Sequence, residues 1–458
     1  MLSPFSKDKM TAFFASGATL PYEFRIAQLK KLKQALMHHQ EALTEAVKQD
    51  FNKSYFETYM SEIMMVKDEL DYFIKHLKKL MKPKRAATPI VHFKSSSKVF
   101  HEPYGLVLII SPWNYPVTLT LTPLVGAIAA GNCAVIKPSS KTTHTSDLIE
   151  KIVTETFDPE YVTVVQGSSD ITHELIGQGF DYLVFTGSPR AAKDVAASAA
   201  PHLTPMTLEL GGKSPTVVYA DADMPKAAAR VTWGKLVNGG QTCIAPDYIL
   251  VEEEARDDFI AEMKRTITEF YGDDPLASDD LPSIINEKNY ERLKGYLTQG
   301  EVVFGGTYRD ADRKIAPTLL LRPDPDSPVM RQEIFGPILP ILTFRTRDEV
   351  MGIIRDRPKP LAFYLFTKDR QKIDYYLEHV HFGNGCVNDT LIQFANTNIP
   401  FGGVGNSGMG QYHGRYSFET FSHVKGVSKK TNLFDIALRY PPYTEKNLKL
   451  LKMYIDKF

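Results

Sequence analysis

An alternation of short apolar runs with helical segments, beginning at Gly105, constrains the fold more than any other feature of the sequence. Such alternation predicts βαβ units, which build a parallel sheet covered by helices on both faces. A second alternation starts after Gly212 and continues to about Pro400. The predicted fold class is therefore α/β. The five runs assigned to the first sheet are "GLVLII", "NCAVIKPSS", "YVTVVQGSS", "DYLVFTGSP" and "MTLELGGKSP".

The ends of these five runs predict one wall of a binding site. Each run ends in a small or polar residue, and ligands of open parallel sheets bind beyond the carboxyl ends of the strands. Helices are expected between the runs, over 118–130, 147–157, 171–176 and 191–200. The predicted wall consists of Ser111, Lys137, Gly167, Thr186 and Glu209.

Length, charge and hydropathy exclude several classes of protein. A chain of 458 residues predicts two or three domains. Lysine plus arginine equals aspartate plus glutamate at 54 each, so no bulk charge favours nucleic acid or an anionic membrane. Neither a signal peptide nor an integral membrane segment is recognisable. Three widely spaced cysteines favour a reducing compartment. We expect a soluble cytoplasmic protein without nucleic-acid partners or a metal.

The cysteine in "NGGQTCIAPDY" differs from the other two. Cys133 and Cys386 lie in or beside apolar runs, where a structural thiol is the expectation. Cys243 follows two glycines in a turn-like segment between a predicted helix and strand. An exposed loop thiol can act as a nucleophile when its surroundings activate it. By context alone, a catalytic and a structural role are equally supported.

Two further side chains are candidates for chemistry. Glu209, at the mouth of the sheet, could act as a base, although a salt bridge or helix cap fits equally well. Asn114 in "SPWNYP" could donate its amide to an oxyanion, or could be an ordinary turn asparagine. "FTGSPRAAK" offers a helix start to a phosphate, but without a G-x-G-x-x-G pattern it does not establish a dinucleotide site.

Seven motifs occur together and in order: "SPWNYP", "AAGNCAVIKPS", "FTGS", "LELGGKSP", "GQTCIAPDY", "QEIFGP" and "PFGGVGNSGMG". With them the chain resembles the aldehyde dehydrogenase superfamily, and most closely its class 3 and fatty-aldehyde branch. The resemblance extends from about Tyr104 to Tyr443 by motif. It implies that Cys243 attacks the aldehyde, forming first a thiohemiacetal and then a thioester. Asn114 and the Cys243 backbone N–H would stabilise the oxyanion, and Glu209 would activate the hydrolytic water.

The resemblance also implies NAD or NADP as cofactor. Lys137 is expected at the adenosine ribose, Ser188 at the pyrophosphate and Glu333 at the nicotinamide ribose. Two positions depart from the family pattern: Ala192 replaces a frequent glycine, and Ser140 replaces the usual acidic residue, which leaves the preference between cofactors open. The complete expected cofactor set is Ser111, Trp113, Lys137, Ser140, Gly167, Thr186, Gly187, Ser188, Glu209, Leu210, Gly211, Glu333 and Phe335.

The family fold implies three regions and a homodimer. A Rossmann-like cofactor domain is expected over 1–84 and 105–211, and a catalytic domain over 212–404. Bridging and oligomerisation segments are expected over 85–104 and 405–458. The basic end "YTEKNLKLLKMYIDKF" predicts a helix packed on the protein, with loose contact to a membrane surface as the alternative.

Substrate and reaction class follow from the same resemblance. The class 3 branch implies medium- or long-chain aliphatic aldehydes and aromatic aldehydes, with Tyr115, Trp233 and Ile392 expected in an apolar funnel. One alternative is an acylating enzyme that transfers the thioester to coenzyme A, but such relatives generally lack the glutamate found here at 209. The other is a non-enzymatic cofactor-binding protein on the same fold.

Overall fold

The computed structural model describes residues 5–89, 92–433 and 435–455. They form two compact units. The first comprises the described residues of Met1–Met81 and Glu102–His423, and the second those of Lys82–His101 and Val424–Phe458. Some residues assigned by the sequence to the cofactor domain (1–4) and the bridging segments (90, 91, 434 and 456–458) lie outside the described residues.

The strands form three larger sheets and one short antiparallel pair within the described part of the chain. In chain order they are β1 (Lys84–Ala86), β2 (Ser95–Pro103), β3 (Leu106–Ile110), β4 (Cys133–Lys137), β5 (Val162–Val164), β6 (Tyr182–Thr186), β7 (Met206–Glu209), β8 (Pro215–Val218), β9 (Tyr248–Glu252), β10 (Glu301–Phe304), β11 (Tyr308–Arg309), β12 (Lys314–Ile315), β13 (Thr318–Leu321), β14 (Ile338–Phe344), β15 (Ala362–Phe366), β16 (Asn384–Val387), β17 (Gly408–Met409) and β18 (Ser422–Lys430).

The helices are mostly amphipathic connections between these strands. In chain order they are α1 (Lys7–Ala15), α2 (Tyr22–His38), α3 (Gln40–Phe51), α4 (Tyr55–Thr58), α5 (Met64–Leu80), α6 (Thr118–Ala130), α7 (Thr143–Thr156), α8 (Ser169–Gly177), α9 (Pro189–Ala199), α10 (Met224–Leu236), α11 (Arg256–Tyr271), α12 (Glu287–Lys294), α13 (Pro328–Arg331), α14 (Arg347–Arg355), α15 (Arg370–His379), α16 (Arg415–Thr420) and α17 (Glu445–Ile455).

The first sheet has the order β17-β7-β6-β3-β4-β5, in which β3 to β7 run parallel and only β17 is antiparallel. The predicted parallel sheet is therefore confirmed. Ile110 lies opposite Lys137, and Thr186 lies opposite Glu209, so the strand ends line one edge. Two strands are shorter than predicted at their carboxyl ends: β3 ends at Ile110, next to Ser111, and β5 ends at Val164, before Gly167.

The second sheet has the order β10-β13-β14-β9-β8-β15-β16 and is parallel except at β10. Its central strands are buried on both faces. Val217 belongs to the apolar cluster on one face and Val218 to the cluster on the other. This pattern is typical of a parallel sheet covered by helices. As the sequence indicated, Cys243 lies in the connection from α10 to β9.

Helix positions agree with the sequence, and capping explains the differences at their ends. The range predicted for α6, 118–130, is confirmed. The helices predicted from 171 and 191 begin earlier, because the Ser168 and Ser188 side chains accept hydrogen bonds from the first turns of α8 and α9. Asp223 caps α10 in the same way, since its carboxylate accepts from the Lys226 backbone N–H.

The second unit contains the three-stranded sheet β1-β2-β18 and helix α17. The unit begins at residues 82 and 424, whereas the bridging segments were expected from 85 and 405. The basic end forms the helix that the sequence predicts, α17, in which Leu448 is 52% exposed and Leu451 is 45% exposed. Among the described residues, no helix combines the length and the hydrophobicity needed to cross a bilayer.

Candidate active site

A sharp backbone bend brings Cys243 to the surface of a cavity. After α10 a 3₁₀ turn covers Val237–Gly240, in which Asn238, Gly239 and Gly240 have φ values of 58°, 61° and 74°. Side chains are disfavoured at such φ values. At position 240 a Cβ atom would also lie 2.3 Å from the Gly336 carbonyl oxygen. The glycine run of the motif is thus a packing requirement of the bend that carries the thiol.

Buried hydrogen bonds fix the backbone on both sides of this bend. The Gln241 amide donates to the Ser283 carbonyl (3.2 Å) and accepts from the Ile285 N–H (3.0 Å). The Thr242 and Tyr115 hydroxyls lie 2.6 Å apart. The Tyr364 hydroxyl donates to the Ile244 carbonyl at 2.7 Å. The segment before and after Cys243 is therefore tied to three separate parts of the first unit.

Asn114 is held next to this segment. Its Nδ2 donates to the Gln241 carbonyl at 3.0 Å, and its own carbonyl accepts from the Asn238 side chain at 2.8 Å. An asparagine amide carries two N–H groups, so one remains for a ligand. The chain beyond it is anchored by Glu62, which accepts from the Val117 N–H (2.7 Å) and contacts Lys53 Nζ (3.2 Å).

A deep cavity, which we call the apolar cavity, reaches Cys243 from one side and has a volume of about 890 Å³ including its open mouth. Aromatic and aliphatic side chains dominate its walls. The three funnel residues expected from the sequence, Tyr115, Trp233 and Ile392, all line it. The other lining residues are Met60, Ser61, Met65, Leu119, Thr186, Glu209, Val237, Thr242, Cys243, Ile244, Leu391, Phe394, Ala395, Phe401 and Tyr412.

A second cavity of about 910 Å³ reaches Cys243 from another direction. Its walls carry more polar and charged groups than those of the apolar cavity. Thr186, Glu209 and Cys243 line both cavities and therefore mark their junction. The remaining lining residues of the second cavity are Pro112, Trp113, Asn114, Lys141, Gly187, Ser188, Leu210, Gly211, Asn289, Arg292, Gln332, Glu333 and Phe335.

The structure brings together most of the expected site residues but not all. Cys243, Glu209 and Asn114 share the second cavity with eight of the other expected cofactor residues. Ser111, Lys137, Ser140 and Gly167 are not among its lining residues. Lys137 Nζ donates to the Pro138 carbonyl at 3.0 Å, and Ser140 is exposed. The eight are Trp113, Thr186, Gly187, Ser188, Leu210, Gly211, Glu333 and Phe335.

Glu209 is a buried carboxyl group with no hydrogen-bond partner on either oxygen among the described residues. Burial raises its pKa well above the ordinary value, because a carboxylate loses hydration there. A polar group without a partner at a cavity junction is available to a water molecule or a ligand. The side chain can therefore hydrogen-bond a water molecule or a ligand beside Cys243, and it can accept a proton there only in its ionised form.

The protein groups around Cys243 favour the protonated form of its thiol. Burial raises its pKa, and the nearby Glu333 and Glu209 carboxyls raise it further. The backbone N–H groups of Cys243 and Ile244 act in the opposite direction by stabilising the thiolate. Because the thiolate is the nucleophile, a positive charge in the second cavity would activate this residue.

Glu333 lies against the backbone at Gly211. A Cβ atom at 211 would be 2.2 Å from Glu333 Oε2, so the carboxyl group requires glycine there. Burial and the charge of Asp247 raise the pKa of Glu333 to about 8. Its Oε1 has no partner among the described residues. An unpartnered carboxyl oxygen in this position can accept hydrogen bonds from hydroxyl groups of a ligand.

These features fit a dinucleotide. Ser188 caps the first turn of α9, and a helix start beside a cavity favours phosphate through its backbone N–H groups and dipole. The Trp113 and Phe335 rings meet edge to face with centroids 5.4 Å apart. Lys141 Nζ lies 5.7 Å above the Trp113 ring and adds positive charge to the same wall. The walls of the second cavity thus carry groups that can bind a phosphate, hydroxyl groups and an aromatic ring of a ligand, in a path that ends at Cys243.

Several lining residues were missed from the sequence. Lys141, Asn289, Arg292 and Gln332 line the second cavity, and Tyr412 lines the apolar cavity. Lys141 follows Lys137 by four positions in "KPSSK", which was a usable signal. Gln332 opens the quoted motif "QEIFGP", which was also a usable signal, whereas Asn289, Arg292 and Tyr412 lie outside the quoted motifs. Cys133 and Cys386 are free thiols in β4 and β16, away from both cavities, as expected of structural thiols.

Residues 8–427 match the model of the aldehyde dehydrogenase family. The chain belongs to this family. Human aldehyde dehydrogenase family 3 member B1 is 43% identical over 97% of this chain and 95% of that protein, which confirms the class 3 resemblance. A solved structure of the substrate-bound state of Staphylococcus aureus AldH is 43% identical, covers 98% of both chains and has a TM-score of 0.95.

An indole-3-acetaldehyde dehydrogenase solved with NAD⁺ is more distant. It is 26% identical over 93% of this chain and 88% of that chain, with a TM-score of 0.84. The α/β fold predicted from the sequence is thereby confirmed, as is the reaction class. This aldehyde dehydrogenase oxidises aldehydes to carboxylic acids and uses NAD or NADP as the hydride acceptor.

Proposed function

We propose that this enzyme acts on medium- and long-chain aliphatic aldehydes and on aromatic aldehydes. The observation that carries the proposal is the apolar cavity, which runs between aromatic and aliphatic walls to Cys243 and Glu209. Each methylene that an apolar wall removes from water contributes about 0.8 kcal/mol. A cavity of this depth therefore favours longer chains over short ones.

Cys243, Asn114 and Glu209 carry the proposed chemistry. The Cys243 thiolate attacks the aldehyde carbonyl to form a thiohemiacetal, whose oxyanion accepts from the second Asn114 Nδ2 hydrogen and the Cys243 backbone N–H. Loss of hydride leaves a thioester on Cys243. Glu209, with two unpartnered oxygens at the junction, then takes a proton from water as the water attacks the thioester. The carboxylic acid leaves and the thiol is restored.

The cofactor is proposed to occupy the second cavity. Ser188 and the start of α9 would bind the pyrophosphate, Glu333 the nicotinamide ribose and Phe335 the ring face. Lys137 and Ser140 are proposed to act at the adenosine ribose, beyond the cavity's lining residues, together with Ser111 and Gly167. When bound, the oxidised cofactor supplies the hydride acceptor and a positive charge, and that charge lowers the pKa of Cys243.

The acylating alternative is disfavoured by Glu209. An enzyme that passes its thioester to coenzyme A does not need a buried base beside the thiol. In this chain the carboxyl group lines both cavities and has no structural hydrogen bond among the described residues that would otherwise explain its burial. Hydrolysis to the free acid is the reaction that uses it.

Substitution of this base tests the proposed steps. Glu209→Gln should release about one reduced cofactor per active site in a burst and then turn over slowly, because the thioester lacks its base. The loss of a general base typically costs ~10²–10⁴-fold in rate. Product analysis of the wild type should find free acid whether or not coenzyme A is present. Wild-type turnover by the variant without a burst would assign water activation to another group.

A series of aldehydes tests the substrate class. For straight-chain aldehydes, kcat/KM should rise by about fourfold per methylene until the apolar cavity is filled. Benzaldehyde should also be oxidised. A flat or falling series would contradict the proposed substrates without contradicting the family assignment.

Compartment and assembly are proposed as cytoplasmic and homodimeric. Three free cysteines suit a reducing compartment. β18 is an edge strand of nine residues with Val424 51% and Val427 46% exposed, and such an edge is suited to pairing with a second copy. Light scattering of the purified protein should give twice the 51.5 kDa chain mass. A monomer at micromolar concentration would contradict the dimer.

A further inference from the structure

Tyr364 is a fully buried residue of β15 that lies behind the apolar cavity rather than on its surface. Its hydroxyl donates to the Ile244 carbonyl at 2.7 Å. The same oxygen accepts from Gln393 Nε2 at 3.0 Å and from the Leu391 N–H at 3.4 Å. A tyrosine hydroxyl has one proton to donate, so this group is fully used by three partners.

The three partners belong to two different walls around the thiol. Ile244 directly follows Cys243, whose backbone N–H is proposed to hold the oxyanion, so the carbonyl that Tyr364 holds is one residue beyond the nucleophile. Leu391 and Gln393 belong to the segment that contributes Leu391, Ile392, Phe394 and Ala395 to the apolar cavity. One hydroxyl therefore joins the peptide next to the nucleophile to the wall that contacts the substrate's chain.

The wall segment needs such an anchor. Leu391 has a φ of 62°, and a side chain in this left-handed region carries a conformational cost. Gln393 extends the anchor, because its Oε1 accepts from the Cys386 thiol at 2.7 Å and its Nε2 also donates to Asn384 Oδ1 at 3.0 Å. Strained backbone persists only where its surroundings hold it, and Tyr364 is at the centre of the bonds that do so here.

We propose that Tyr364 is a positioning residue whose hydroxyl couples the chain-contacting wall to the Ile244 carbonyl, one residue beyond Cys243, so that the enzyme's preference for longer aldehydes depends on it. With the hydroxyl in place, the alkyl chain of a longer aldehyde packs on a fixed wall, and the Cys243 thiol keeps its position relative to the aldehyde carbonyl. Without it, the Leu391 segment relaxes and added methylenes lose their contacts. The inference rests on the proposed preference for longer chains.

Tyr364→Phe tests the coupling, because it removes one oxygen and keeps the ring. The ratio of kcat/KM for decanal to that for propanal should fall by roughly tenfold or more, since small misplacement of a reacting group costs up to about 10²-fold. The KM for the cofactor should stay within about twofold. Tyr376→Phe is the matched control: Tyr376 is also fully buried, and its hydroxyl bonds to Tyr219 at 2.8 Å in the other apolar cluster.

A second variant keeps the test decisive if Tyr364→Phe folds poorly. Gln393→Met removes the wall's side-chain bond to the hydroxyl, together with the bonds of Gln393 to Cys386 and Asn384 of β16, so it should reduce the same ratio. Cys386→Ser retains a donor to Gln393 and should preserve the ratio. A uniform loss for every aldehyde in Tyr364→Phe, or a loss matched by Tyr376→Phe, would show a purely structural role and overturn the proposal.

Alkylation of Cys243 separates this inference from the substrate proposal. Iodoacetamide and its N-octyl derivative probe the thiol with and without an alkyl chain, and mass spectrometry measures each rate at Cys243. The octyl-to-parent rate ratio should be lower in Tyr364→Phe than in the wild type and Tyr376→Phe. An unchanged ratio overturns the coupling even if long aldehydes are good substrates. A lowered ratio upholds it even if the aldehyde series is flat.

Discussion

At the scale of single residues, Cys243 is distinguished by its position and not by its intrinsic reactivity. The pKa of its thiol is raised by burial and by two carboxyl groups. The pKa of Cys133, in β4, is raised by burial to about 12. Both thiols are protonated at neutral pH, but only Cys243 lies where two cavities meet and where a cofactor's positive charge can approach.

Cys243→Ala should abolish aldehyde oxidation and leave cofactor binding intact. The substitution removes the sulfur that forms the thioester, while the backbone bend depends on Gly240 and not on the thiol. Cofactor titration by fluorescence and circular dichroism would establish binding and folding. Cys133→Ala is the control and should retain turnover. Substantial oxidation by Cys243→Ala would remove this residue from the nucleophile role.

A partly buried glutamate, Glu57, should make stability depend on pH. Glu57 Oε1 accepts from the Asn238 N–H at 2.6 Å, and burial raises its pKa to about 7. The folded protein thus binds this proton more tightly than the unfolded chain does. The resulting stabilisation is complete below the unfolded-chain pKa of 4.5 and is lost as pH rises through about 7.

As pH rises from 5 to 8, the Tm of Glu57→Gln should therefore fall less than the Tm of the wild type. Glutamine cannot ionise, yet its Oε1 can still accept from Asn238. Differential scanning calorimetry at the two pH values measures the change, and the exposed Glu41→Gln serves as the control. If Glu57→Gln and Glu41→Gln show the same change in Tm as the wild type, Glu57 is not titrating in this range.

At the scale of elements, the 3₁₀ turn Val237–Gly240 carries the most stringent requirement. Gly240→Ala should destabilise the protein and lower activity, because its Cβ would meet the Gly336 carbonyl at 2.3 Å in addition to the strain of φ 74°. Strained φ values cost of order 1–3 kcal/mol. Gly17 has a φ of 76°, and its Cβ position would make only an ordinary contact, 3.7 Å from Leu20 Cδ1, so Gly17→Ala isolates the strain.

Urea unfolding of both variants separates strain from contact. Gly240→Ala should lose more free energy of unfolding than Gly17→Ala, and only Gly240→Ala should lose activity per folded molecule. Equal losses of stability with unchanged activity in both variants would mean that the loop around Cys243 adapts to a side chain at 240.

Local patterns predicted most elements, and non-local contacts account for what they missed. The apolar runs gave the parallel strands, and the range of α6 was predicted because Gly131 ends it in a left-handed turn. The π-helical turn Tyr59–Ile63 was not predicted, since it contains Glu62, whose buried partners Lys53 and Val117 lie elsewhere in the chain. Tyr364 was missed because strand order brings it to Ile244.

At the scale of the whole molecule, the second cavity combines residues that end or precede strands of both large sheets. Thr186 and Glu209 end strands of the first sheet, whereas Glu333 and Phe335 precede β14 of the second. Because these residues come together only on folding, a ligand of this cavity binds the folded protein and not the unfolded chain. At 100 times its Kd such a ligand raises the free energy of unfolding by about 2.7 kcal/mol. Binding should therefore appear as an increase in Tm.

Both NAD and NADP should raise Tm and support turnover. An enzyme that insists on NAD commonly presents a carboxylate to the ribose 2′-hydroxyl, which would repel a 2′-phosphate. The carboxylates lining the second cavity are Glu209 and Glu333, both at its Cys243 end, and position 140 is a serine. Lys137 and Lys141 add cations to the segment after β4. The two kcat/KM values should differ by less than about 100-fold, or roughly 2.7 kcal/mol.

Ser140→Glu should depress the use of NADP much more than that of NAD. The new carboxylate would restore the repulsion of a 2′-phosphate while still accepting a hydrogen bond from a 2′-hydroxyl. The increase in Tm on cofactor binding measures the same preference between NAD and NADP without turnover. NADP should therefore lose its stabilising effect in the variant, and NAD should keep it. Ser139→Glu, one position earlier, controls for added charge in the segment. If wild type is inactive with saturating NADP, or if Ser140→Glu leaves both the kinetic ratio and the thermal shifts unchanged, the adenosine ribose does not lie against this turn.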